Sequence, residues 1–344
     1  MRRITKVKIN QIKVGAALSY IIIGLNLIIG VTYTPFLVKM LGQSEYGLYS
    51  LVSAIISYLT VLDFGFGNAI TIYTAKYLEK GDKEKENKLH GMFAIIYSAI
   101  GVVVGIVGVI LTLNVERFFE TSMSIEELQK AKTLMGILTL NLVITFPFSI
   151  FNSIIVAYEK FIFNKLLSII RIILMPIIMI PLLLGGYKSI ALAVCSTVLN
   201  ASILIINTIY CFKKLDIKLK FRGLDFGALK DVFAYSFFIF LNTIVDKVNW
   251  SIDNFILGKV KGTTEVAIYA VAANFNTMYL NFSTAISGVL LPKVAKMEVN
   301  NSSDEEFSNI FIKAGRIQYM ILGLIITGFI IFGKNKTTNL VINN

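Results

Sequence analysis

The chain has 344 residues, of which 56% are hydrophobic and 16% are charged, and its mean hydropathy is +0.73. Soluble globular proteins are typically about 25% charged, so this composition excludes both a soluble globular protein and a disordered one. At about 20 residues for each membrane-spanning helix, the length accommodates roughly nine to twelve spans. The net charge of +12 raises the question of a nucleic-acid partner, which the positions of the basic residues decide.

Nine apolar stretches, separated by polar or glycine-bearing breaks, predict nine membrane-spanning helices. The first stretch follows a basic N-terminus but is too long for the core of a secretory signal, so we interpret it as a retained span. The predicted spans lie at 14–38, 46–74, 91–113, 132–157, 162–184, 189–212, 232–258, 266–292 and 309–333.

Basic residues are distributed unevenly between the two ends of these spans. If the connections alternate between sides, the side of the N-terminus holds 22 Lys and Arg residues and the opposite side holds nine. The positive-inside rule therefore predicts a cytoplasmic N-terminus. Contacts of these clusters with anionic lipid headgroups account for most of the basic charge, so we expect membrane lipids as neighbours and no nucleic acid.

The residue types that hold metals or nucleotides are scarce. His90 is the only histidine, and the two cysteines, Cys195 and Cys211, form no cluster with it in the sequence. The Gly-x-x-x-x-Gly-Lys-Ser/Thr motif of ATP-binding phosphate loops does not occur. We therefore expect no metal, no cofactor and no ATP site.

A parallel internal repeat is visible at an offset of 220 residues. A Gly-x-x-Glu-x-x-x-Tyr motif occurs between the first two spans and again between the seventh and eighth, and the third span recurs as the ninth. A full second repeat needs roughly 90 further residues, so the chain is expected to be truncated. The predicted domains are a six-helix lobe at 1–212, a basic linker at 213–231, three helices of a second lobe at 232–333, and a non-helical tail at 334–344.

The seventh predicted span carries a polar stripe with Lys247 at its edge. Four residues spaced i, i+4, i+7 and i+11 share one helical face: Asn242, Asp246, Asn249 and Asp253. Lipid cannot solvate this face, so it must contact another helix or a water-filled cavity. One interpretation is a cavity wall that binds a polar substrate or a coupling ion, and the alternative is an internally satisfied ion pair that holds helices together.

Two further charged residues lie at membrane depth in the first six spans. Arg171 lies about ten residues into the fifth span, near mid-bilayer at 1.5 Å per residue. Its guanidinium suits a phosphate group but could equally neutralise Asp246 or Asp253. Asp63 lies where two glycines interrupt the second span. Such a broken helix can coordinate an ion or act as a hinge, although close helix packing explains the glycines equally well.

Several short motifs follow one another in a recognisable order. Residues 62–68 read LDFGFGN and are followed by AKYL, residues 252–258 read IDNFILG and continue to YAVA, and residues 290–293 read LLPK. Their order and spacing resemble those of Wzx-type flippases for O-antigen or other polysaccharide repeat units. These exporters belong to the superfamily that also holds the multidrug and toxin extrusion (MATE) transporters, and the resemblance runs from about residue 10 to 333.

The resemblance implies an all-α, MATE-like protein of the bacterial cytoplasmic membrane that is a transporter and not an enzyme. It would flip undecaprenyl-diphosphate-linked oligosaccharides by alternating access for surface polysaccharide synthesis, with polysaccharide polymerase and chain-length proteins as candidate partners. The substrate-binding candidates are Arg171, Lys247, Asn242 and Asn249. The candidates for ion coupling or cavity lining are Asp63, Asp246 and Asp253.

Three alternatives remain open from the sequence. A MATE-type cation or drug antiporter would use the acidic residues and would have no use for Arg171. A membrane glycosyltransferase or ligase is disfavoured, because the cytoplasmic loops are short and basic and offer no sizeable water-facing catalytic region. An inactive, truncated fragment is the third.

Overall fold

A computed structural model describes residues 2–222, 226–299 and 303–341, and no β-strand occurs within these ranges. The helices are α1 (Arg2–Leu41), α2 (Gln43–Ser57), a 3₁₀ segment (Tyr58–Asp63), α3 (Phe66–Lys80), α4 (Lys83–Phe119), α5 (Ile125–Ala157), α6 (Phe161–Leu184), α7 (Ser189–Lys214), α8 (Phe226–Lys261), α9 (Thr263–Val299) and α10 (Asp304–Val341). We call α1–α7 the first unit and α8–α10 the second unit.

The helices occupy the positions predicted from hydropathy. With α2 and α3 counted as one interrupted span, nine long helices coincide with the nine predicted stretches, and most extend several residues beyond them. The extensions are polar ends that project past the apolar part of each helix. Six helical segments of the first unit are long and apolar enough to cross a membrane. The predicted all-helical, multi-pass membrane architecture is confirmed.

The second span is interrupted at the predicted place. After the 3₁₀ segment, Phe64 and Gly65 both adopt left-handed backbone conformations, with φ of 52° and 72°. Gly65 tolerates this conformation at no steric cost. Two successive residues in the left-handed conformation, Phe64 and Gly65, end the helical hydrogen-bond pattern. Helix α3 then begins at Phe66, so Asp63, the last residue of the 3₁₀ segment, lies at the break in the second span.

Two predicted boundaries need correction. The tail predicted to be non-helical continues α10 as far as Val341, while residues 342–344 lie outside the described ranges. Residues 334–341 contain neither proline nor glycine, so a helix that is already nucleated can propagate through them. The linker is also shorter than predicted, because α7 ends at Lys214 and α8 begins at Phe226.

A capping box is present at the start of the helix that forms the fourth span. The Ser124 side chain accepts a hydrogen bond from the Glu127 backbone N–H, and the Glu127 side chain accepts one from the Ser124 backbone N–H. This reciprocal pair satisfies two backbone donors at the helix end. The box caps α5 itself, so the spanning helix starts at Ile125, seven residues before the apolar stretch predicted.

The repeated turns each contain a glycine with a positive φ, and the helices that follow these turns pack against each other. Gly42 (φ +82°) precedes α2 and Gly262 (φ +86°) precedes α9, and the two glycines are 220 residues apart. A Cβ at Gly47 would lie 1.8 Å from the carbonyl oxygen of Thr263. The backbones of α2 and α9 therefore touch, and this contact joins the two units.

Candidate functional site

A cavity of about 350 Å³ lies inside the first unit, bounded by α4, α5, α6, α7 and the break in the second span. Its lining includes Asp63 and Arg171, which the sequence analysis selected separately. Other polar lining residues include Tyr97, Ser149, Asn152, Asn164, Ser168 and Asn200. A polar cavity of this kind at membrane depth must be filled by water or by a polar ligand, since lipid cannot solvate these groups.

Asp63 is held in place by the helix break and by a buried tyrosine. The hydroxyl of Tyr97, whose residue is 1% exposed, donates a hydrogen bond of 2.7 Å to Asp63 Oδ1. The backbone N–H groups of Gly65 and Gly67, at the start of α3, lie near this carboxyl group and attract its negative charge. The N-terminus of a helix favours a negative charge, so the break orients Asp63 and stabilises it.

Arg171 is placed by α6 on the same helical face as Asn164 and Ser168, at spacings of i, i+4 and i+7. Within the described part of the chain, no carboxylate forms an ion pair with its guanidinium. Neither Asp246 nor Asp253 pairs with it there, although the sequence left that alternative open. The guanidinium therefore remains available to a ligand in the cavity.

A network of amide and hydroxyl groups fixes the wall between α5 and α7. Asn200 Nδ2 donates to both Asn141 Oδ1 and Thr145 Oγ1, each at 2.7 Å. The Thr145 hydroxyl in turn donates to the Asn141 carbonyl oxygen at 2.7 Å. Asn207 lies about two turns beyond Asn200 on α7. It is 5% exposed and also lines the cavity. These hydrogen bonds join α5 to α7, and the wall offers both donors and acceptors to the cavity.

The stripe on the seventh span lies elsewhere. Asn242, Asp246 and Asn249 are exposed on α8, and Lys247 is partly buried. Asp253 accepts a hydrogen bond from the hydroxyl of Tyr269 on α9. None of these five α8 residues lines the cavity. The structure thus brings together two of the seven predicted site residues and leaves the other five on a separate helix.

The polar residues of α5 and α7 are not among the residues predicted from the sequence, although the sequence of α5 carries a signal for them. Asn141, Thr145, Ser149 and Asn152 follow the i, i+4, i+8, i+11 spacing of a single helical face. Serine and threonine often satisfy themselves on the preceding turn, which weakens this signal. Tyr97 had no sequence signal, because its contact with Asp63 arises only when α4 packs against the break.

We expect Tyr97→Phe to lower the free energy of unfolding by about 1–3 kcal/mol, because it removes a buried hydrogen bond to a carboxyl group. Denaturant unfolding of the purified protein in detergent measures this change. Tyr187→Phe is the matched control, since Tyr187 is 60% exposed in the turn after α6 and should tolerate the loss. Equal stability of the two variants would contradict the role of Tyr97.

Comparison with known proteins gives the family and the fold. Residues 13–298 match the family described as "Polysaccharide biosynthesis protein". An uncharacterized membrane protein of Bacillus subtilis (strain 168), EpsK, is 21% identical over 308 residues, which are 87% of this chain and 59% of EpsK. The chain therefore spans about 59% of the length of that relative.

Solved structures of MOP superfamily transporters resemble this chain. An inward-facing multidrug resistance MATE transporter has a TM-score of 0.66 at 17% identity, covering 93% of this chain and 75% of its own. A MOP superfamily transporter from Pyrococcus furiosus, described as having a binding pocket of reverse polarity, has a TM-score of 0.63 at 18% identity, covering 95% and 73%. The predicted resemblance to polysaccharide exporters with a MATE-like fold is confirmed: the chain belongs to the polysaccharide biosynthesis protein family.

Proposed function

We propose that this chain is a flippase for undecaprenyl-diphosphate-linked oligosaccharides in the bacterial cytoplasmic membrane. The observation that carries the proposal is the Arg171 guanidinium, which faces a polar cavity at membrane depth and has no carboxylate partner among the described residues. Family membership supports a role in polysaccharide synthesis. The MATE-like fold supports a transport role.

The chemistry of the cavity fits both polar parts of such a substrate. A guanidinium binds a phosphate through two parallel hydrogen bonds, which are stronger than bonds between neutral groups. Sugar hydroxyls both donate and accept, as do the amide groups of Asn152, Asn164 and Asn200 that line the cavity. The apolar lipid chain needs no protein cavity, because the bilayer itself can accommodate it.

The arrangement of the two units supports alternating access. The repeated turns place similar helices in each unit, and movement of one unit against the other would expose the cavity of the first unit to one side of the membrane at a time. No phosphate loop for ATP occurs in the sequence, so we propose that an ion gradient drives the cycle. Asp63, within the same cavity as Arg171, is our candidate for ion coupling.

The second candidate function is transport of organic cations, which the Asp63 carboxyl group in the cavity favours. Binding to the protein in lipid nanodiscs separates the two functions. We expect the diphosphate-linked oligosaccharide lipid to bind about tenfold more tightly than undecaprenyl monophosphate, because the guanidinium makes more charge-assisted contacts with a diphosphate. Ethidium serves as the cation probe. Saturable ethidium binding that the diphosphate lipid does not displace would contradict the flippase and favour the cation transporter.

A further inference from the structure

One end of the bundle is joined by a hydrogen-bonded cluster that connects the two units. The Glu127 carboxylate at the start of α5 accepts hydrogen bonds from Ser44 at 2.5 Å and from Thr263 at 2.7 Å, both on Oε1. Ser44 and Glu127 belong to the first unit, whereas Thr263 begins α9 in the second unit. We call these three residues the Glu127 cluster. The predicted orientation places it on the outer side of the membrane.

Glu127 is held rigidly on its own helix. Its second oxygen, Oε2, accepts the backbone N–H of Ser124 at 2.9 Å in the capping box described above. The carboxylate is therefore fixed by one oxygen and presents the other to α2 and α9. Of the two hydroxyl groups that donate to Oε1, only that of Thr263 comes from the second unit.

Neighbouring contacts close the same end. The hydroxyl of Ser122 donates to the Gly258 carbonyl oxygen at 2.8 Å, and Asn274 Nδ2 donates to the Tyr46 hydroxyl oxygen at 2.9 Å. Each of these bonds joins the first unit to the second. Between Thr263 and Asn274 along α9, Ala270 packs in an apolar cluster with residues of the first unit and is 9% exposed.

We propose that the Glu127 cluster is a latch that holds the two units together at this end, and that its release opens the interface between them. The inference goes beyond the proposed function, because it concerns how the units separate and not what the chain binds. Hydroxyl donors to a carboxylate at an aqueous end can be replaced by water. When the latch opens, water can therefore replace the lost donors, so the Glu127 carboxylate is not left buried without a hydrogen-bond partner.

Thr263→Val tests the latch, because it removes the donor from the second unit while it keeps the shape of the side chain. The readout is the rate at which a membrane-impermeant maleimide labels Ala270→Cys in nanodiscs, where both faces are accessible. We expect labelling about tenfold faster than in the protein that carries only Ala270→Cys. The reason is that the loss of one hydrogen bond to a charged group shifts the opening equilibrium by about that factor. Protein without the added cysteine gives the background from Cys195 and Cys211.

Two matched variants make the test specific. Ser44→Ala removes a donor to the same oxygen from within the first unit, and between the units it removes only the long 3.4 Å contact with the Thr263 hydroxyl. It should therefore label within about twofold of the parent rate. Thr263→Ser restores a hydroxyl and should return labelling to the parent rate. Parent-rate labelling of Thr263→Val would overturn the proposal. So would equal acceleration by Ser44→Ala, or fast labelling that Thr263→Ser does not reverse.

Discussion

Gly47→Ala is expected to disrupt the contact between α2 and α9. A Cβ at position 47 would lie 1.8 Å from the Thr263 carbonyl oxygen and 2.7 Å from its carbonyl carbon. Both obstructing atoms belong to the backbone, so no side-chain rotation can relieve the clash and the helices must move apart. Overpacking usually costs about 1–3 kcal/mol, and a clash with rigid backbone belongs at or above the upper end of that range.

Gly24→Ala is the matched control for this prediction. Position 24 is also helical, in α1, and has no neighbouring atom within 4 Å that an added methyl group would meet. Alanine is favoured over glycine inside helices by roughly 0.8–1 kcal/mol. Thermal unfolding in detergent should therefore show a lower melting temperature for Gly47→Ala and an equal or higher one for Gly24→Ala. Similar melting temperatures for the two variants would show that α2 and α9 do not meet as described.

The helical architecture could be predicted because the bilayer restricts the choice. A segment that crosses lipid must satisfy its backbone hydrogen bonds internally, so apolar stretches of sufficient length become helices. The break at Asp63 was also predictable, because Gly65 and Gly67 are poor helix formers next to an acidic residue. Helix ends outside the apolar core are not restricted in this way, which is why the helical state of residues 334–341 was missed.

The candidate site was only partly predictable, for a different reason. Each charge at membrane depth is costly, so Asp63 and Arg171 could be selected one at a time. Helical periodicity then shows which residues share a face but not which helix that face meets. The stripe containing Asp246 therefore gave no indication that α8 lies outside the cavity. The contact between Tyr97 and Asp63 depends on how α4 packs and cannot be read from spacing.

Arg171→Ala is expected to slow translocation of a diphosphate-linked oligosaccharide lipid by about 10- to 100-fold. The substitution removes the charge-assisted hydrogen bonds that the guanidinium would make with the phosphates, worth about 1.5–3 kcal/mol. Arg171→Lys keeps the charge but loses the two-pronged geometry, so an intermediate rate is expected. Arg117→Ala is the matched control, because Arg117 is exposed in the last turn of α4 and does not line the cavity.

We propose that the cavity of the first unit binds the diphosphate of a lipid-linked oligosaccharide during transport. The most direct test of this proposal is the translocation rate in sealed vesicles, measured with a fluorescent lipid-linked oligosaccharide and an impermeant quencher, under imposed proton or sodium gradients. We expect translocation by the parent chain and by Arg117→Ala, and a rate at least tenfold lower for Arg171→Ala. Equal rates for the parent chain and Arg171→Ala, or no translocation by the parent chain, would contradict the proposal.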